Sequence, residues 1–307
     1  MNTIDPPSGA AVSMNNNGTI IVGNVGVSKT YSIYWMEGSP PTMMRIGYLP
    51  NGTLSHANAV SGDGGIVVGY GDTTGSVNRA FRWKKDSSPE METLEILNGY
   101  TESTARGVNH DGSVVVGDCR RAAGDTRAVR WKEKEMAAEK LRAPQEAVRC
   151  SAIATDDSGA VIVGRCDLRN GYSHAVCWLG GSTTEVTTLE CLGSLSSADA
   201  YAVSSDGNVI VGSSTDPENP RITHAVRWKR NPGTNTFEIS NLNVLPVPPS
   251  KQCHCTGVGS ESRWNCYRCR VLILRHHKRG IYLEGGCNTQ SSETRRRHRK
   301  AHNHRSL

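Results

Sequence analysis

The strongest constraint on how this chain can fold is a repeat. Five times an apolar run closes on glycine, at Gly23, Gly69, Gly117, Gly164 and Gly212, and a second run follows that closes on tryptophan, at Trp35, Trp83, Trp131, Trp178 and Trp228. Neighbouring glycines lie 46 to 48 residues apart and neighbouring tryptophans 47 to 50. A fixed period of this length dictates a repeat architecture before any single residue is interpreted.

Each unit divides into four segments. The first holds small residues around a β-branched one, as in Ala11-Val12-Ser13, Ala59-Val60-Ser61 and Ala202-Val203-Ser204. An Asn-Gly or Asp-Gly step follows, at Asn17-Gly18, Asp63-Gly64, Asp111-Gly112 and Asp206-Gly207, with Asp157-Ser158-Gly159 as a variant. That chemistry predicts a tight hairpin with a type I′ turn. The second segment is an unbroken β-branched run, such as Ile66-Val67-Val68 or Val114-Val115-Val116, which predicts an innermost strand buried on both faces. Its closing glycine predicts a bulge or a close backbone approach.

The third segment ends on the tryptophan, as in Arg79–Trp83, Arg127–Trp131, His174–Trp178 and His224–Trp228. Its inner face is left open by the pattern. The fourth is looser, over Met43–Leu49, Met91–Leu97, Met136–Leu141, Val186–Leu192 and Phe237–Leu245, and reads as an outer edge strand. In the third unit, Lys132–Ala147 is rich in Glu, Ala and Lys and reads as helical up to Pro144.

Four strands in about 47 residues is the arithmetic of a propeller blade. The expected fold is therefore all-β: a β-propeller-like array of five four-stranded repeats, with an irregular basic C-terminal tail. Thirty-two glycines and only two phenylalanines agree with short strands and frequent turns. The expected organisation is an N-terminal stub at 1–9, the repeat region at 10–250 and the tail at 251–307.

Charge separates those regions. Residues 1–250 hold 22 Lys+Arg against 26 Asp+Glu, whereas residues 251–307 hold 13 against 3. The repeat region therefore has no electrostatic case for binding nucleic acid. No apolar stretch is long enough for a transmembrane helix, and the first residues lack the pattern of a signal peptide. The body cysteines Cys119, Cys150, Cys166, Cys177 and Cys191 are expected as free thiols. Cys119 and Cys166 hold equivalent places in neighbouring units, too far apart to bridge.

With its steps His174-Ala175-Val176-Cys177-Trp178, His224-Ala225-Val226-Arg227-Trp228 and Arg79-Ala80-Phe81-Arg82-Trp83, the unit resembles the HAF repeats, a bacterial family of extracellular repeats. The resemblance covers roughly residues 8–246 and includes Leu192–Ala198 leading into Ala202–Gly207 and Val209–Gly212. It implies an autotransporter-passenger-like protein at the cell surface or outside the cell, in association with the outer membrane. The family supplies no catalytic residues.

The tail breaks the pattern. Its Cys253, Cys255, Cys266 and Cys269, with His276 and His277 nearby and the basic run Arg295–Lys300, can be read as a zinc-binding nucleic-acid tail. The preferred reading is a frameshifted or disordered segment, because hydrophobic periodicity is lost and a C-x-C pair is too close for the usual zinc spacing.

The repeat region offers no familiar signature. His56, His110, His174 and His224 come one per unit without an acidic partner nearby, so a structural hydrogen bond is expected for His174 and His224 rather than a metal. The Asp-Gly turns lack the ligand count for calcium, Gly69–Gly75 lacks the helix and Lys-Ser pair of a phosphate loop, and the sequons at Asn17 and Asn51 read as chance. No catalytic, cofactor-binding or metal residue is assigned, and no cofactor.

The expected function is a non-enzymatic surface or secreted repeat protein. Its loops at 24–30, 70–78, 118–126, 165–172 and 213–222 would present an adhesive face to an unknown ligand or host partner. The alternative is a propeller-scaffold hydrolase with its site in the central channel.

Overall fold

The structure, a computed structural model, describes residues 8–242 apart from 27–28, 75–76, 86, 88–90, 123, 134 and 182. The tail at 251–307, with its zinc and frameshift readings, lies outside the described residues. Chain contacts divide the molecule into a unit Met1–Arg275 and a unit His276–Leu307, the second wholly outside that range.

Every regular element among the described residues is a strand. The first sequence unit gives β1 (Ser8–Met14), β2 (Ile20–Gly26), β3 (Thr30–Met36) and β4 (Thr42–Gly47). The second gives β5 (Ser55–Val60), β6 (Ile66–Thr73), β7 (Val77–Lys84) and β8 (Met91–Thr93). The third gives β9 (Glu102–Val108), β10 (Val114–Arg120), β11 (Thr126–Lys132) and β12 (Ala138–Lys140). The fourth gives β13 (Ala147–Thr155), β14 (Val161–Leu168), β15 (Ser173–Leu179) and β16 (Thr187–Thr188), and the last β17 (Ala198–Val203), β18 (Val209–Thr215), β19 (Thr223–Arg230) and β20 (Phe237–Asn241). Strands β1–β4, β5–β8 and β17–β20 form four-stranded antiparallel sheets. Strands β9–β16 form one eight-stranded sheet, whose two antiparallel meanders meet through the parallel pair Thr126 and Arg149.

Packing follows from the alternation of side chains along the second strand of each meander. One set of residues faces the preceding unit: Val67 packs with Val22 and Tyr34, Val115 with Ile66 and Val68, Ile162 with Val116 and Ala128, and Ile210 with Val163 and Ala175. The alternate set, Val22, Val68, Val116 and Val163, faces the following unit. The β-branched run is thus buried on both faces because two different interfaces need it, and each fully buried Val or Ile contributes about 1.5–3 kcal/mol. These are the second strands of their sheets, not the innermost. The first strands meet one another in chain order, β1 with β5, β5 with β9, β9 with β13 and β13 with β17.

The tryptophans close the same interfaces. Trp131, Trp178 and Trp228 are at most 1% exposed, and each indole N–H donates to a carbonyl that leaves the preceding unit: Glu95 at 2.6 Å, Arg142 at 2.7 Å and Glu190 at 2.8 Å. Third strands run in unbroken register, so Phe81 and Trp83 share a face, as do Val129 and Trp131.

The strand glycines answer a bulge in the first strand. Val12, Asn58, Arg106, Ile153 and Tyr201 are the extra residues, each opposite the glycine of its unit. A Cβ at Gly69, Gly117, Gly164 or Gly212 would stand 1.9–2.0 Å from a carbonyl oxygen of that strand, so no other residue fits.

The hairpins differ from the expected two-residue turn. Asn15, Ser61, Asn109, Asp156 and Ser204 each accept a bond from the N–H five residues on, at 2.8–2.9 Å, and the turn glycine three residues on bonds back to the backbone. Only that glycine has positive φ, between +73° and +83°. A four-residue loop wins because the leading Asn, Ser or Asp satisfies a second donor, which a two-residue loop leaves no room for.

The helix expected over Lys132–Ala147 is absent. Met136 takes a positive φ of 50°, and β12 pairs with β11 instead. An exposed third strand edge outbids a local propensity worth only tenths of a kcal/mol per residue.

Candidate functional site

The two ends of the strands differ. At one end the hairpin turns are stitched together by main-chain bonds: Asn16 N–H to Gly62 O, Asp63 N–H to His110 O, His110 N–H to Asp157 O and Asp157 N–H to Ser205 O, at 3.0–3.3 Å. The Asn16 side chain reaches both His110 Nδ1, at 3.1 Å, and Asp157 Oδ2, at 3.4 Å, so turns of the first, third and fourth units converge. A Cβ at Gly62 would lie 2.2 Å from the His110 ring. The turns therefore meet side by side at this end, with the His110 ring lying against Gly62 and the Asn16 amide.

The other histidines scatter. His56 stacks on Tyr70 with ring centroids 5.2 Å apart, and burial lowers its pKa. His174 sits on β15 opposite Cys166. His224 does have an acidic partner: its Nε2 is 2.7 Å from Asp216 Oδ2, and this bond leads the causes that hold the Asp216 carboxyl below its ordinary value. Eight residues separate the two, across the β18–β19 loop, which a one-per-unit count of histidines overlooks. Among the described residues no cluster of three or more metal-ligating side chains forms.

The cysteine expectation is also corrected. Cys150 and Cys166 form a disulfide within the fourth unit. They are direct cross-strand partners on β13 and β14. The argument from equivalent positions covers Cys119 against Cys166 and says nothing about partners inside one hairpin. Cys119, Cys177 and Cys191 are free. Burial pushes the Cys119 thiol up to about 11 and that of Cys177 up to about 12, which leaves both inert.

At the end away from the turns lies a cleft of about 360 Å³. It is built on rigid strands: Glu102, Ser103, Thr104 and Arg106 from β9, Asp118 and Arg120 from β10, and Arg149 and Ser151 from β13, with Asn78, Gly124 and Thr126 at its rim. In the β9–β10 register Thr104 faces Asp118 and Glu102 faces Arg120, so both carboxylates stand on one face of the sheet. Arg106, swung onto that face by the bulge, bonds the buried Asp118 through Nε. Arg120 Nη1 lies 4.0 Å from Glu102, and Arg149 Nε donates to Gly124 O at 2.9 Å.

None of these groups is a candidate from sequence alone. Among the described residues, a site built from one residue per unit at one repeat position does not occur. The charges converge instead from unequal positions of two neighbouring units. One signal was available: Arg106 stands where the other units place Val12, Asn58, Ile153 and Tyr201, and Asp118 where they place Asn24, Tyr70, Arg165 and Ser213.

No family model and no curated protein matches this chain. Solved structures do. A protein assigned as TolB from Agrobacterium tumefaciens aligns with a TM-score of 0.55 at 12% identity, over 77% of this chain and 80% of that one. A prolyl endopeptidase aligns with 0.53 at 13%, over 76% of this chain and 35% of its own. The β-propeller domain of the trilobed protease from Pyrococcus furiosus, described as an open velcro topology, aligns with 0.50 at 12%, over 77% and 71%. At these identities the likeness carries the fold: the chain is a β-propeller. The same comparison corrects the adhesive-surface reading, because the structures that share this fold include prolyl-cleaving enzymes and the propeller domain of a protease.

Proposed function

We propose that the chain is a propeller-scaffold hydrolase, its five units forming an open arc and its substrate held in the cleft over β9, β10 and β13. The observation that carries this is the cleft itself, where Glu102, Asp118 and Arg120 share one face of the β9–β10 pair, Arg106 bonds Asp118, and Arg149 joins from β13. Hydrolysis needs a group that takes a proton from water as it attacks and passes that proton on to the leaving atom. Glu102, with its side chain 39% exposed, is the group placed to exchange protons with a substrate, while Asp118 is fixed by Arg106.

The Cys150–Cys166 disulfide supports an exported setting, at the cell surface or outside the cell, because such bonds persist in oxidising compartments. Membership of the HAF-repeat family rests on the His-Ala-Val and Arg-Ala-Phe steps and stays part of this proposal.

The test is a turnover screen of the full chain on pooled peptide and saccharide substrates, with Glu102→Gln beside it. A general acid–base group is worth about 10²–10⁴ in rate, so the variant should lose that much. Turnover untouched by Glu102→Gln, or no turnover at all, removes the hydrolase reading.

A further inference from the structure

The arginines of the cleft are held in an unusual way. Arg106 spends Nε on Asp118, and Arg149 spends Nε on the carbonyl of Gly124 at 2.9 Å. Among the described residues their terminal nitrogens have no hydrogen-bond partner. Arg120 holds Glu102 only at 4.0 Å and is 60% exposed. An arginine anchored at Nε has lost much of its rotamer freedom, yet keeps a forked pair of donors that matches a carboxylate in two bonds. Two such forks, with the exposed Arg120 beside them, stand against two carboxylates and leave the cleft with an excess of positive charge.

Between the charges the lining is hydroxyl and amide, from Thr104, Thr126, Ser151 and Asn78, with no aromatic or aliphatic side chain. An acidic peptide would bring apolar surface that finds no partner here, and a nucleic acid would want an aromatic platform for its bases. Carboxylates spaced among many hydroxyls describe a different ligand. We propose that the cleft binds an acidic oligosaccharide, a chain of uronic-acid sugars, with the arginines on its carboxylates and the hydroxyl and amide groups on its ring oxygens. This rests on the hydrolase reading for its chemistry but not for its binding.

The experiment is calorimetric titration of the full chain with tetragalacturonate, maltotetraose and tetraglutamate, with release of reducing ends followed in parallel. Tetragalacturonate should bind and weaken steeply with added salt, maltotetraose should not bind, and the double variant Arg120→Gln, Arg149→Gln should weaken binding at least tenfold. Should that variant fail to fold, the salt dependence and the neutral sugar still decide on the unaltered chain. Equal binding of maltotetraose, tighter binding of tetraglutamate, or an unchanged double variant overturns the inference. Tetragalacturonate that binds without being cut upholds the ligand class and sinks the hydrolase.

Discussion

The first and third units carry nearly the same sequence pattern and meet different fates. In the third, Val115, Val116 and Trp131 are at most 2% exposed. In the first, the corresponding Ile21 and Trp35 are only half-buried, and β1 is exposed over most of its length, although it holds the same small residues as the buried β5 and β9. The last unit mirrors this on its opposite face, where Val211 is half-buried while Ile210 is fully covered. The four core clusters are the four interfaces between successive units. Burial in this molecule is therefore a property of having a neighbour, and the local sequence only prepares for one.

The sharpest way to break that comparison is to empty the same position in both units. Trp131→Ala removes a fully buried indole and its bond to Glu95, and should cost about 3–5 kcal/mol in denaturant unfolding, whereas Trp35→Ala should cost less than half as much. Equal losses would mean the first unit is as tightly held as the third. The next largest effect concerns the third and fourth units. At the position where Cys119 faces Ser103, the fourth unit places its disulfide. Replacing Cys150 and Cys166 by serine opens a loop of 16 residues and should cost about 3 kcal/mol on the chain-entropy account, read as a lowered unfolding midpoint. An unchanged midpoint would show that neighbour packing alone holds that hairpin.

The smallest effect should not distinguish interior from end. Bonds from the hydroxyl and N–H of Ser113 hold the Asp111 carboxyl below its ordinary value, and bonds from Ser204 and Asn208 do the same for Asp206. A lowered native value stabilises above the unfolded pKa near 4 and is lost as pH falls through the native one. Both groups are solvent-screened, so Asp111→Asn and Asp206→Asn should each remove no more than about 0.5 kcal/mol, and only above pH 4. A larger loss in the third unit than in the fifth would show that neighbours stiffen the turns as well as the cores.

Most of the scaffold was legible because it is written five times. The glycines opposite the bulge, the alternating second strand and the short outer strands each impose a local steric or burial demand that a residue type answers. The errors arose where partners decide. Lys132–Ala147 has the composition of a helix, but β11 offered it a ladder. Cys150 and Cys166 are ordinary cysteines until β13 and β14 pair. The cleft was hidden for the same reason: Arg149 belongs to the fourth unit, Asp118 to the third, and nothing in either unit announces the other. Repetition exposes what the units share, and a site is made of what they do not.

The stitching of one turn to the next has a consequence for how such a chain can change over generations. The bonds that run from Asn16, Asp63, His110 and Asp157 to the next turn use main-chain groups, so each unit is aligned on its neighbour by the backbone, and the contact of the Asn16 side chain with His110 and Asp157 comes in addition. Side-chain changes at these positions should leave that main-chain alignment in place, with proline the exception, since it removes the donor itself. The alignment of the units is inherited through the backbone, and residues around it are left free to be tried for new purposes.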